Sequence, residues 1–323
     1  MFNVIAKKYG DPDILIYEKS ASHKIASDSV RINVKGIGVN FADILIIKGK
    51  YQERPRPPFS PGLEVSGIIS EIGSNVKKFK IGDSVVAIMK YGGYKTEVVV
   101  PQENTYFLPQ GMDLLEAGGF PVIYGTAFSA IVTKARLKKN EKCVILGATG
   151  GVGMAAIEIA KAYGANVIAC GGDDRKLSEC LKKGADTVLN YNNNILRQEL
   201  KKIGVSEVDV VIDMVGGQSS LDLVKSLKWD GRIIIVGFTS GKIPEIPANR
   251  LLLKNARAEG LYWGELAYRK PEEIEKDLKV LGQLFKDNKL NPCINKIFDL
   301  QDAPQALKEL SDRKNIGKII LKC

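Results

Sequence analysis

The run Cys143-Val144-Ile145-Leu146-Gly147-Ala148-Thr149-Gly150-Gly151-Val152-Gly153 sets an apolar stretch directly before a cluster of glycines. The next residues, Met154 to Tyr163, contain neither Pro nor Gly. Strand, glycine turn and helix in succession is the context in which a glycine loop binds phosphate. The glycines let the backbone approach a ligand closely, and the first N–H groups of the helix, with its dipole behind them, favour a pyrophosphate. A second apolar run, Ala165 to Cys170, follows at the distance of a βαβ half-unit and ends in Gly171-Gly172. Nucleotide folds that grip a free ribose carry Asp or Glu at that strand end. Gly171 puts no carboxylate there, which leaves space for a phosphorylated ribose. Asp173 is read as the cap of a helix over 174–183, its carboxylate turned to the helix N–H groups. Were it to face the ribose instead, it would oppose a phosphate.

Other chemistries find little material. The one histidine, His23, stands in a polar segment with no nucleophile near it in sequence, so Ser-His-Asp and Cys-His mechanisms have no base to use. The five cysteines (143, 170, 180, 293 and 323) are odd in number and form no CxxC pair, which excludes a disulfide framework and a structural zinc lobe. Cys143 and Cys170 fall in apolar strands and read as small core residues. The net charge of +10 comes from lysine pairs dispersed along the chain, a pattern of solvated faces that counts against nucleic acid as a partner. No apolar run approaches the roughly 20 residues that span a bilayer, and the first ten residues carry no signal core, so a cytoplasmic protein is expected.

These residues need elements to position them. With 323 residues, two domains are expected. Residues 1 to about 119 read as short alternating strands broken by Gly, Pro and Asn: 30–34, 65–73, 84–88 and 94–100, with one helix over 40–47 and a proline-rich loop over 52–61. This is the pattern of a small antiparallel barrel. Met112 to Lys134 reads as helix in two pieces. From there to about 265 the rhythm is α/β: strand 143–146, helix 151–163, strand 166–170, helix 174–183, strand 187–189, strand 208–213, helix 219–227, a turn at 229–231, strand 232–237 and a last strand over 256–262. Continuous apolar strands alternating with helices predict a parallel sheet covered on both faces. An amphipathic helix over 271–287, strands over 294–300 and 317–321, and a helix over 303–311 are expected to pack back on the first domain.

Several stretches together resemble the medium-chain dehydrogenase/reductase superfamily, in its zinc-free quinone oxidoreductase branch. They include Gly38-Val39-Asn40-Phe41-Ala42-Asp43, Gly49-Lys50-Tyr51, Pro61-Gly62-Leu63-Glu64-Val65-Ser66-Gly67, Phe120 to Ala127, the glycine loop, Val211 to Gly217, Gly231 to Phe238 and Leu253 to Gly264. The resemblance implies a GroES-like β-barrel catalytic domain (1–119, completed by 266–323) and a Rossmann doubly wound domain (120–265). It also implies NADPH in the cleft between them, hydride transfer to a quinone or α,β-unsaturated carbonyl, and a homodimer. Zinc members carry Cys where this chain has Asn40 and His where it has Leu63; Asp43 and Glu64 alone do not make a ligand set. No metal site is therefore expected. The resemblance carries cofactor contacts onto Asn40, Tyr51, Gly150, Gly151, Val152, Gly153, Gly217, Val236, Gly237, Phe238, Thr239, Leu261, Tyr262 and Trp263, with Gly172, Lys176 and Tyr191 around the 2′-phosphate. Tyr51 and Tyr124 are the candidate catalytic residues, as hydrogen-bond or proton donors to the reduced acceptor, with solvent as the other source. Two further readings stay open: a 2-enoyl thioester reductase, for which Arg54 and Arg56 give slight support, and a nucleotide-binding protein without turnover.

Overall fold

The computed structural model describes every residue except Asn193 and Asn194. Its contacts divide the chain into two units. The first comprises Met1–Ile123, Gly264–Lys286 and Pro292–Cys323; the second comprises Tyr124–Trp263 and Asp287–Asn291. The expected first domain takes in all of 266–323, whereas the short excursion Asp287–Asn291 groups with the second unit.

In the first unit a seven-stranded sheet runs in the order Ile294–Asp299, Lys318–Lys322, Ser29–Val39, Glu64–Ile72, Ser84–Ile88 and Thr105–Phe107, with Glu97–Pro101 pairing on Ser29–Val39. Strand Ser29–Val39 shows why it forms. Val30, Ile32 and Val34 are buried while Asn33 and Lys35 face out, the period of a half-buried strand. Beyond Lys35 both faces are covered, and two register shifts against Glu64–Ile72 curl the sheet toward a barrel. The closing strand Lys318–Lys322 pairs antiparallel with Ser29–Val39 in the first unit's sheet. The strand expected over 94–100 begins only at Glu97; Lys95 instead makes an isolated bridge to Asn3. Helix Phe41–Ile47 buries Ile44, Ile46 and Ile47 and carries Asp43 into the interior.

In the second unit six parallel strands run in the order Thr187–Asn190, Asn166–Gly171, Lys142–Leu146, Val208–Asp213, Leu227–Ile235 and Arg257–Gly260. Numbered in chain order this is 3-2-1-4-5-6, the doubly wound arrangement, which places the glycine loop at the end of the first strand. Strands Lys142–Leu146 and Val208–Asp213 are buried almost throughout, as their unbroken apolar runs require. The tripeptide Trp229-Asp230-Gly231, read as a turn, lies inside strand Leu227–Ile235; the register skips from Leu227 to Arg232 there, so the residues form a bulge rather than a reversal. A helix over Leu196–Lys202 was not foreseen, and Pro121–Phe128 runs on into a π-helical stretch Ser129–Lys134.

Candidate active site

In the second unit, helix Gly151–Ala162 starts from Gly150, a cap with no side chain to occupy the first-turn N–H groups. Those donors are left for a ligand. Gly153 is fixed by sterics: a Cβ there would stand 2.4 Å from the Gly147 carbonyl oxygen and 2.6 Å from Ala148. The loop is held against the sheet because Gly147 N and Ala148 N both donate to the Cys170 carbonyl, at 3.0 Å each.

The end of the second strand is organised around the same point. Gly171 is buried, and a Cβ on it would meet Thr149 and Leu177 side chains at 2.9 Å, so packing as well as ligand chemistry disfavours a carboxylate there. Tyr191 N donates to the Gly171 carbonyl at 3.0 Å, and Asn192 Nδ2 to the Gly172 carbonyl at 2.6 Å. Asp173 caps helix Asp174–Lys182, accepting from Lys176 N at 3.1 Å. The capping reading of Asp173 is the one the structure adopts. Burial pushes the Lys176 ammonium below its usual range, with the Asp173 charge opposing. Gly172 and the Tyr191 backbone thus meet at the strand end from which the helix carrying Lys176 starts.

The second unit's remaining cofactor candidates follow its fourth, fifth and sixth strands. Buried Asp213 accepts from Val215 N (2.8 Å), Gly216 N (2.9 Å) and the Ser220 hydroxyl, which clasps the turn into helix Gly217–Val224. Val236 N and Gly237 N reach the Asp213 carbonyl, and Thr239 N the Met214 carbonyl, so Val236, Gly237, Phe238 and Thr239 lie against the Gly217 turn. Leu261 N donates to the Ile235 carbonyl. Tyr262 is exposed, whereas Trp263 is buried against Gly125 with its indole N–H unpartnered in the described structure.

Tyr124 stands apart from the part assigned to it. It is fully buried, and its hydroxyl donates to Glu158 at 2.6 Å. Glu158 also accepts from Lys183 and from Asn291 N, an interior network that ties the glycine-loop helix to the excursion Asp287–Asn291. A hydroxyl committed to a carboxylate in this way is badly placed to serve an acceptor.

In the first unit, Asn40 caps helix Phe41–Ile47 and belongs to a buried charged cluster that sequence reading did not anticipate. Lys318, 3% exposed, donates to Glu64 Oε1 at 2.7 Å and to Asn40 Oδ1 at 2.6 Å. Asn40 Nδ2 donates to Glu64 Oε1 at 3.0 Å and to the Gly38 carbonyl at 3.2 Å, and Val122 N donates to Glu64 Oε2 at 2.8 Å. Both amide hydrogens of Asn40 are therefore engaged. Beneath it, Asp43 accepts from Asn40 N, Gly62 N and the Tyr94 hydroxyl. Burial pushes the Asp43 carboxyl up to about 7, against those hydrogen bonds and the nearby Lys318 charge. Tyr51 is half-buried against the core of this unit, at the entrance to the proline-rich loop. Among the described residues no three His, Cys, Asp or Glu side chains converge in a metal-ligand group. Cys143 and Cys170 are fully buried, their thiols pushed up to about 12 by that burial, as befits inert core residues.

Comparison with known proteins places this arrangement. The alcohol dehydrogenase GroES-like domain family matches residues 26–110, and the family described as zinc-binding dehydrogenase matches residues 151–282. Quinone oxidoreductase-like protein 2 of Bos taurus is 37% identical over 309 residues, 95% of this chain and 88% of the relative. Quinone oxidoreductase of Sus scrofa is 31% identical, over 97% of this chain and 95% of its own. The crystal structure of Escherichia coli quinone oxidoreductase complexed with NADPH superposes with a TM-score of 0.92 at 28% identity, covering 100% of both chains. No helix of the described residues is long and apolar enough to cross a membrane. The chain belongs to the medium-chain dehydrogenase/reductase superfamily of oxidoreductases, in its quinone oxidoreductase-like family.

Proposed function

We propose that this chain is an NADPH-dependent reductase of quinones or α,β-unsaturated carbonyls that works without a bound metal. The observation that carries the reading is the buried ammonium of Lys318 between Asn40 and Glu64. Zinc-dependent members of the superfamily carry ligands at the positions of Asn40 and Leu63, beside this cluster. Here the cluster holds an amide, a carboxylate already paired, and a cation. A divalent ion about 4 Å from that ammonium would meet a repulsion of about 8 kcal/mol at an effective dielectric constant of about 20. Without a Lewis acid, an acceptor that is already polarised is the better substrate.

The residues present fit NADPH. Gly150 to Gly153 offer the uncapped helix start to the pyrophosphate, and Gly172, Lys176 and Tyr191 are assigned to the 2′-phosphate at a strand end where packing disfavours a carboxylate. In the second unit, Gly217, Val236 to Thr239 and Leu261 to Trp263 are assigned to the nicotinamide half. When bound, NADPH supplies a hydride from C4 of the nicotinamide. The acceptor takes that hydride and one proton, leaving NADP⁺ and a hydroquinone or saturated ketone. Tyr51 or solvent provides the proton; the geometry of Tyr124 assigns it instead to the Glu158 network. We assign the homodimer contact to edge strand Arg257–Gly260, flanked in sequence by exposed Leu252 and Leu253. A cytoplasmic location remains part of the same proposal.

The test is loss of dihydronicotinamide absorbance with phenanthrenequinone as acceptor, NADPH and NADH compared, with EDTA in both. EDTA-resistant oxidation that prefers NADPH is expected. Reduction of enoyl thioesters but of no quinone or free enone would move the substrate class. NADPH binding without turnover of any conjugated acceptor would refute the enzymatic reading.

A further inference from the structure

A groove of about 740 Å³ opens on the first unit, with His23, Arg56, Lys90, Tyr91, Lys95 and Tyr268 in its lining. Three of its lining residues are Lys or Arg and none is Asp or Glu. One cation is accounted for: Lys90 pairs with Glu53 at 2.8 Å and Glu265 at 3.1 Å. The other two are not. Among the described residues no carboxylate lies within 4.0 Å of the Lys95 ammonium or the Arg56 guanidinium. Lys95 Nζ instead lies 3.3 Å from His23 Nε2. An ammonium can only donate, so this contact requires the ring nitrogen to be unprotonated.

The arrangement works against itself electrostatically. Lys95 is half-buried, and desolvation holds its ammonium below the usual range. The Lys95 charge, then burial, then Arg31 hold the His23 imidazole below its ordinary value, with Glu97 alone opposing. An anion is the missing component: it would offset both charges and favour a second proton-bearing group beside Lys95. The rest of the lining supplies a surface for a ligand body, since the exposed Tyr91 ring and the Tyr268 ring belong to the same groove.

We propose that this groove binds an anionic group, a phosphate, sulfonate or carboxylate on a planar or apolar body, between Arg56 and the Lys95–His23 pair. Arg56 stands in the proline-rich loop that begins at Tyr51. On the reductase reading, the groove would hold the charged tail of the electron acceptor. An acid-substituted quinone and the phosphates of a coenzyme A thioester present the same chemistry to it.

The chain's single histidine makes the test direct. With ¹³C-labelled histidine, the His23 ring signal is titrated by NMR alone, with phenanthrenequinone, with its carboxylated derivative, and with crotonyl-CoA. The carboxylated quinone, the thioester or both should move the His23 midpoint upward by about half a pH unit or more, and the parent quinone should not. Whichever anionic ligand does so names the source. In kinetics, the KM for that ligand should lie about tenfold below that of its uncharged counterpart, phenanthrenequinone or crotonyl-pantetheine. R56A and K95M should each erase the difference, as should high salt. An unmoved His23 midpoint together with equal KM values, while the parent quinone is still reduced, overturns the groove and leaves the reductase reading intact. A moved midpoint without turnover of any acceptor supports the groove and overturns the reductase.

Discussion

Replacing Lys318 by Met removes the ammonium and keeps most of the side-chain length. Two charge-assisted hydrogen bonds disappear, those to Glu64 Oε1 at 2.7 Å and Asn40 Oδ1 at 2.6 Å. Each is worth about 1.5–3 kcal/mol in comparable settings. The larger cost lies in what remains. Glu64 is wholly buried and, among the described residues, keeps Val122 N and Asn40 Nδ2 as donors. Breaking a buried pair from one side costs about 3–5 kcal/mol, and that is the loss expected for K318M. At about 2–4 °C per kcal/mol, the thermal midpoint should fall by about 6–20 °C. Adding E64Q removes the stranded charge, so the K318M/E64Q protein should recover at least about half of the loss. Urea unfolding followed by far-UV circular dichroism measures both. Both tryptophans, Trp229 and Trp263, lie in the second unit, so their fluorescence transition is an internal control for that unit. A loss below about 1 kcal/mol for K318M, or a double variant no more stable than the single one, would refute the reasoning.

Asp43 predicts a pH dependence of opposite sign to that of an ordinary paired carboxylate. Its carboxyl rises from 3.8 to about 7 on folding because it is buried. Between those values the folded chain holds a proton that the unfolded chain releases, so stability falls as pH rises through the window and levels off above about 7. D43N should flatten that part of the profile; wild type and D43N with parallel profiles from pH about 4 to about 7 would show that Asp43 does not titrate there. The dimer assignment predicts that L252E/L253E, at side chains 79% and 66% exposed, leaves the fold intact and halves the mass seen by light scattering. A variant of unchanged mass would place the contact elsewhere.

The second unit was legible in the sequence because its elements depend on local pattern. Unbroken apolar runs gave strands Lys142–Leu146 and Val208–Asp213, and the glycine spacing located the loop between strand and helix. Misreadings arose where tertiary context overrides local chemistry. Trp229-Asp230-Gly231 has turn composition, but Asp230 N is held by the Lys254 carbonyl and its carboxylate by Asn255, which keeps the bulge within the strand. The candidate site divides in the same way. The cap at Asp173 follows from a short-range rule. Tyr124 was misjudged because its partner Glu158 is 34 residues away. Lys318 was overlooked because Glu64 is 254 residues away. One signal was available: a lone lysine opening the otherwise apolar run Ile319-Ile320-Leu321 is an expensive residue to enclose without a partner.

The placement of strand Lys318–Lys322 also orders events in time. It lies between Ile294–Asp299 and Ser29–Val39 in the first unit's sheet, yet it follows the whole of Tyr124–Trp263 in the chain. A ribosome therefore finishes the body of the second unit while the first still lacks an interior strand and the cation that matches Glu64. The unit begun first is completed last, and its half-built sheet stays open along Gly36–Val39 throughout that interval.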